Sequence, residues 1–333
     1  MRRLGREVST EPTGVLVLGM HRSGTSAATR LINMLGPATC RADDILRGAW
    51  NPSGHYESRT LVRLDNELLG QMGRTWWYPP PTGEEYLALA GRIKTSKAKA
   101  RRVFRRVHPE RPWVWKDPRA CLLVPFWRAA LGDGVVSVLV VRNPLEVADS
   151  LQRRHDVPVR FGVALWERYN RLVLAHATGM TVLVSRYEDL VTDPSAWCER
   201  AAGFLSQAGF QVQAAPHREE TGEFVDPGKR HSAHTRSDVA AQAPEALDTL
   251  DALESLVGAH TSFEPPSLKA EASWVEEELA QVGPDKRLQW HAPPWAASAP
   301  GASTERGQAR RGSRTVRRLR RLSRRLPVAR WLR

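Results

Sequence analysis

Apolar residues recur along this chain in two rhythms. Short unbroken runs, GVLVLG (14–19), PWVW (112–115), VVSVLVV (135–141) and TVLVSR (181–186), predict strands. Their continuous apolarity suits parallel strands buried on both faces. Between them, apolar positions fall three and four apart. One such stretch runs from Ser23 to Leu35, with Leu31, Ile32 and Leu35 on one face and Gly36 placed to stop it. Another, 58–73, repeats the pattern through Leu61, Leu64, Leu68 and Met72. Further helices are predicted over a basic stretch from Glu84 to Val107 and over 120–131, 145–154, 160–177 and 195–208. Strand and helix alternate, which predicts an α/β domain, a parallel sheet with helices on both faces.

After Phe210 the rhythm thins. Residues 217–235 read as loop, 244–258 and 270–282 as two peripheral helices, and HAPPWAASAPGAS (291–303) as a linker. The chain thus divides into an N-terminal extension (1–13), the α/β domain (14–240), peripheral helices (241–290), a linker (291–305) and an Arg-rich tail (306–333). With 333 residues and 41% hydrophobic composition it can fill one large core. The net charge of +13 is not spread over that core: the twelve arginines from Arg306 to Arg333, with no acid among them, leave about +1 for everything before. Within the tail, Val316, Leu319, Leu322 and Leu326 keep helical spacing, Pro327 stops it, and Val328, Trp331 and Leu332 follow. Two readings stay open, a basic amphipathic helix on an anionic membrane surface and a disordered tail that binds polyanions such as nucleic acid; the spaced apolar residues favour the membrane.

The cysteines, Cys40, Cys121 and Cys198, are too few and too scattered for a disulfide framework or a zinc site, and no metal site is expected. No apolar run reaches bilayer length and no secretion signal stands out, so a cytoplasmic protein, peripheral at the inner membrane face, is the expectation.

The chemistry begins at GVLVLGMHRSGTSAATRLINMLG (14–36), which has the form of a phosphate-binding loop between strand and helix. A nucleoside-triphosphate loop reads G-x-x-x-x-G-K-[ST]. Here Gly19 and Gly24 keep the spacing, but Thr25 and Ser26 occupy the last two places and the nearest cation, Arg22, lies inside the loop. In doubly wound folds ligands bind at the carboxyl ends of strands, and two other ends carry matching groups. VVRNPLEVADSL places Arg142 at a strand end and Ser150 eight residues on, in a helix that Asn143 can cap and Pro144 can open. SRYEDL places Tyr187 just past the next strand.

These segments, in this order, resemble the P-loop-like sulfotransferases that use 3′-phosphoadenosine 5′-phosphosulfate (PAPS). HRSGTS resembles the family's first loop of the type P-[KR]-S-G-T-T, which binds the 5′-phosphosulfate. Arg142 with Ser150 resembles its R-x7-S pair for the 3′-phosphate, and SRYEDLVTDP its segment placing a Tyr near the adenine. The resemblance spans residues 14–195 and weakens beyond 210, where DPGKRH, with Lys229 and Arg230, is similar to the family's late basic loop over the nucleotide. It implies transfer of a sulfuryl group to a hydroxyl or amine. It assigns donor binding to Arg22, Ser23, Gly24, Thr25, Ser26, Arg142, Ser150 and Tyr187, and it needs no magnesium.

Charge that grows on the bridging oxygen as the S–O bond breaks explains a cation inside the loop, so Arg22 is also the expected catalytic cation. The acceptor needs a base, and NPSGHYES (51–58) offers Glu57 or His55. In KDPR (116–119) Lys116 points to the active site, whereas Asp117 suits the turn before Pro118. Trp76 and Trp77 are candidates to line an acceptor pocket. A glycan or glycolipid is the preferred acceptor. The rival readings are a P-loop kinase or ATPase, which lacks its Lys, and a membrane- or polyanion-binding protein acting through its tail.

Overall fold

The computed structural model describes residues 12–46, 56–216, 218–222, 225 and 232–283. His55, Lys229, Arg230, most of the N-terminal extension, the linker and the tail lie outside the described residues. In chain order the elements are β1 (Gly14–Leu18), α1 (Thr25–Met34), α2 (Arg59–Gln71), α3 (Gly83–Gly91), α4 (Lys97–Val107), β2 (Trp113–Lys116), α5 (Val124–Leu131), β3 (Val135–Val141), α6 (Pro144–His155) and α7 (Val159–His176). They continue with β4 (Val182–Arg186), α8 (Tyr187–Thr192), α9 (Pro194–Gln207), α10 (Arg218–Gly222), α11 (Arg236–Gln242), α12 (Leu247–Ser255), β5 (Gly258–His260) and α13 (Ser273–Val282).

The strands lie in the order β2-β1-β3-β4-β5. The first four are parallel, with Leu16 registered between Trp115 and Ser137, and β5 joins β4 antiparallel. Alternate residues feed two cores. Val15, Val17, Val138 and Val140 pack with Leu31, Ile32, Trp197 and Phe204 on one side. Leu16, Leu18, Trp115 and Leu139 pack with Trp127, Leu145, Trp166 and Val275 on the other. Both faces of the sheet are therefore covered, as the continuous apolar strands require.

Four departures from the sequence expectation have local causes. The stretch 84–107 is two helices joined by a 3-10 turn at Lys94–Ser96. Buried Tyr86, Leu89, Ile93, Ala100, Phe104 and Val107 keep helical spacing across the break, so the pattern hides it; Gly91, Thr95 and Ser96, weak helix formers, mark it. The stretch 120–131 opens as a 3-10 turn, Pro118–Leu122, and becomes α-helical only at Val124, where Pro125 fits the first turn. The 217–235 segment, read as loop, contains the short α10. Helix α11 also goes unannounced by apolar rhythm; its start is a capping box between Thr235 and Asp238. Among the described residues no helix is long and apolar enough to cross a membrane.

Candidate active site

The loop after β1 is shaped by backbone that most residues avoid. Gly19 has φ 147°, and a Cβ there would sit 2.7 Å from Thr25 Cγ2 and 2.8 Å from the Val140 carbonyl. Gly24 has φ 88°, and a Cβ would meet the Tyr187 ring at 2.2 Å. Between them Arg22 holds φ 72°, a left-handed conformation that costs a non-glycine residue about 1–3 kcal/mol. The turn closes through the Ser23 amide, which donates to the Met20 carbonyl (3.1 Å). Gly24 then caps α1 with no side chain over its first amides, so that end of the helix is open to an anion. Ser23 and Thr25 are buried in this turn.

On the β3 flank, two arginines meet at the loop. Arg22 Nε donates to Ser150 Oγ at 2.8 Å, and Arg142 Nη1 donates to the Arg22 carbonyl at 2.8 Å. Arg142 is held by Glu146 Oε2 (2.8 Å) and lies 4.1 Å from the Tyr187 ring centre. Asn143 Oδ1 accepts from the Leu145 amide and Pro144 opens α6, as expected. Arg22 remains open to solvent, yet its recess is crowded enough to lower its pKa to about 10, through desolvation first and then the charges of Arg154, Arg142 and Arg153. Like charges gathered in a recess are stabilised by an anionic ligand.

On the β2 flank the groups are different. Lys116, 1% exposed at the end of β2, donates to Glu57 Oε1 at 2.5 Å and to Ser26 Oγ at 3.1 Å. Glu57 immediately precedes Ser58, whose side chain caps α2 by accepting from the Leu61 amide. Asp117 accepts from the Arg119 amide and guanidinium, capping the 3-10 turn Pro118–Leu122. Its buried neighbour Asp65 is pushed well above the carboxylate range by burial and then by the Asp117 charge. Trp76 lies against His21, ring centres 4.6 Å apart, and against Trp77 and His155 at 5.5 and 5.4 Å. The His21 imidazole is held well below its ordinary pKa by burial and then by Arg119, Lys116, His155 and Arg154. Trp77 turns its indole N–H to the Gly283 carbonyl at 3.1 Å.

The fold thus gathers Arg22, Ser23, Gly24, Thr25, Ser26, Arg142, Ser150 and Tyr187 around one loop, with Glu57, Lys116 and Trp76 on its other side. Ser150 meets Arg22 rather than Arg142. Glu57 pairs with Lys116. Sequence reasoning missed His21, Glu146 and Arg154. His21 sits between Gly19 and Gly24 of the first loop, and Arg154 in the run RRH at the end of α6; Glu146 follows Arg142 by four residues.

No protein-family model matches the chain, and no curated protein matches it. Among solved structures, it is similar to the sulfotransferase domain from the curacin biosynthetic pathway, at 16% identity and a TM-score of 0.39, over 84% of this chain and 99% of that one. A sulfotransferase from Mycobacterium tuberculosis is similar at 15% identity and 0.33, over 65% and 77%. A retinol dehydratase in complex with androsterone and inactive cofactor PAP is similar at 15% and 0.26, over 84% and 83%. Overlaps this low carry no function across, which has to come from the side chains themselves.

Proposed function

We propose that the protein transfers a sulfuryl group from PAPS to a hydroxyl or amine of an acceptor whose identity stays open, a glycan or glycolipid being preferred. One observation carries the reading: Arg22 of the phosphate loop bonds Ser150 while Arg142 bonds the Arg22 carbonyl, so a first-loop cation and an Arg–Ser pair eight residues apart converge on one recess. The donor set fits such a ligand. The amides at the start of α1 and the hydroxyls of Thr25 and Ser26 suit the 5′-phosphate, Arg142 and Ser150 the 3′-phosphate, and Tyr187 the adenine side. Lys229 and Arg230 are proposed to complete the nucleotide site.

The donor supplies a sulfur centre with a phosphate leaving group. Arg22 neutralises the charge that grows on the bridging oxygen as its bond to sulfur breaks. Glu57, or His55 in its place, takes the proton of the acceptor as its oxygen or nitrogen bonds the sulfur, and the products are the sulfated acceptor and 3′,5′-adenosine bisphosphate (PAP). Lys116 holds the Glu57 carboxylate and touches Ser26, tying the base to the phosphate loop. Trp76 and Trp77 form the acceptor-side wall. The tail, 306–333, is proposed to hold the enzyme at an anionic membrane surface from the cytoplasmic side.

The deciding experiment is binding of PAP by calorimetry, with ATP and adenosine 5′-phosphosulfate in parallel. PAP is expected to bind tightly and ATP weakly. Equal or tighter binding of ATP would favour the kinase or ATPase reading and overturn this one.

A further inference from the structure

The C-terminal segment packs on the β2 flank of the cleft, and a buried cation takes part in that contact. Arg168, in the middle of α7, is 1% exposed. Its Nε donates to both oxygens of Glu271 (2.8 and 3.0 Å), its Nη2 to Glu276 Oε2 (2.8 Å) and its Nη1 to the Pro80 carbonyl (3.2 Å). A buried guanidinium needs one counter-charge in good geometry. Glu271 already supplies it with both oxygens.

Glu276 is therefore a second acid on a cation that is already paired, and its side chain is 44% exposed. Its Oε1 accepts from the Tyr78 hydroxyl at 3.2 Å and lies 3.8 Å from Arg74 Nη1, and Arg74 in turn covers the Tyr78 ring at 4.5 Å. The same loop is tied at two more points, Tyr169 Oη to the Trp76 carbonyl (2.8 Å) and Trp77 Nε1 to the Gly283 carbonyl. Its tip is Trp76, lying against His21, next to Arg22 in sequence. The loop from Arg74 to Pro80 thus hangs between α7 and α13, with the far end forming the wall beside the reacting groups.

We propose that Glu276 is a positioning residue: through Tyr78, Arg74 and Arg168 it fixes the Trp76 wall against His21 and so shapes the acceptor side of the cleft, without reaching the donor. The acceptor part of this statement rests on the sulfuryl-transfer reading; the fixing of the wall does not. Glu271 and Glu276 share one arginine but differ in what else they touch, so substituting each separates a stabilising role from a positioning one.

His21 reports the position of the wall, because Trp76 helps keep water from its Nε2, which is buried with no hydrogen-bond partner. The charged and titratable groups around it are Arg119, Lys116, His155 and Arg154, with Tyr169 against the ring, and Glu276→Ala alters none of them. The experiment is an NMR titration of the His21 imidazole in the full chain, assigned by its loss in His21→Asn, alongside PAP affinity by calorimetry. In the wild type the ring is expected to titrate well below a free imidazole. In Glu276→Ala its proton affinity should rise about tenfold or more toward that of a free imidazole as water enters, with PAP affinity within twofold. Glu276→Gln, which keeps an acceptor for Tyr78, should fall between. Glu271→Gln should lower Tm and leave the His21 midpoint where it is. An unchanged His21 midpoint in Glu276→Ala, or PAP affinity falling in step with Tm, would overturn the proposal. Failure of the wild type to bind PAP would instead sink sulfuryl transfer and leave the His21 comparison to decide the positioning.

Discussion

The two flanks of the β1 loop are built in opposite ways. On the β3 flank, Arg142, Glu146 and Ser150 come from one strand end and the helix that follows it, and Tyr187 begins the helix after the neighbouring strand. On the β2 flank, Glu57, Lys116, His21 and Trp76 come from four separate segments, and the wall is held by α7 and α13. A flank made of contiguous residues is fixed by capping and short turns. One made of distant segments is fixed by packing, and its chemistry is therefore free to vary with whatever chain is packed there. On the proposed function, the donor belongs to the first flank and the acceptor to the second.

Substituting Glu57 tests the second flank hardest. Glu57→Gln should reduce PAPS-dependent turnover by about 10²- to 10⁴-fold, the range for loss of a general base, and leave PAP affinity unchanged. Rapid-quench measurement of PAP release would show it. If His55→Ala gives that loss and Glu57→Gln does not, the base moves two residues back and Glu57 becomes the partner that orients Lys116. Arg22→Ala comes next, with a loss of about 10²- to 10³-fold in turnover from one missing preorganised donor and a fold intact by circular dichroism. A rise in the PAPS constant at unchanged maximal rate would place Arg22 among the binding groups only and blur the division of labour drawn above.

Arg142→Ala belongs wholly to the β3 flank. Loss of a charge-assisted contact of about 1.5–3 kcal/mol predicts PAP affinity lower by about 10- to 100-fold, together with weaker discrimination between PAPS and adenosine 5′-phosphosulfate, which lacks the 3′-phosphate. An unchanged ratio between those two donors removes Arg142 from the site.

The same contrast explains what could be read before any coordinates. The four parallel strands, α1, α6 and the donor loop are local patterns: apolar runs, glycine spacing, and Asn143–Pro144 opening a helix; the antiparallel β5, Gly258–His260, carries no apolar run and lies where the sequence predicts the end of the 244–258 helix. The break after Gly91 was hidden because Tyr86 through Val107 keeps one apolar spacing across it. The partnership of Lys116 with Glu57 spans 59 residues, and that of Trp77 with Gly283 spans 206; nothing in either neighbourhood announces the other end. His21 was in plain sight, but its importance comes from Trp76 and Tyr169, which only the fold brings to it.

Acid should separate the two faces of the sheet more gently. His21, His108 and His176 all have lowered pKa values, burial being the first cause, to about 3 for His108 and about 4 for His176. All three pack against residues of the larger core, Tyr169, Phe104 and Tyr86 in turn, on the face that carries Trp115. The native state keeps these rings neutral, while the unfolded chain protonates them near pH 6.5. Stability is therefore complete above about pH 6.5 and falls as pH drops through the window down to the folded values. His108, 4% exposed with both ring nitrogens unpartnered, should account for about 3 kcal/mol at pH 4.5. His108→Phe, stacked in its place on Phe104, should raise Tm and flatten its decline between pH 6.5 and 4.5. A decline as steep as the wild type's would assign the acid sensitivity elsewhere.

Removing the tail should have the smallest effect on either flank, because the described residues that form both lie between Met20 and Gly283. Deleting 306–333 takes away twelve arginines and the spaced Val316, Leu319, Leu322 and Leu326. Each cation close to an anionic bilayer contributes about 1 kcal/mol before screening, and an apolar stripe adds burial at the headgroup boundary, so the full chain should sediment with phosphatidylserine vesicles at moderate salt and the truncated chain should not. PAP affinity and turnover of a water-soluble acceptor should stay within twofold. If the truncated chain still sediments, a surface within the folded domain carries membrane affinity. If the tail instead binds RNA tightly without vesicles, its charge works by counterion release and the spaced leucines have no membrane role. In either case the division between donor flank and acceptor flank is untouched, since the described residues of both precede the tail. A loss of turnover on truncation is the one result that would break it, by showing that the second flank takes part of its wall from beyond Gly283.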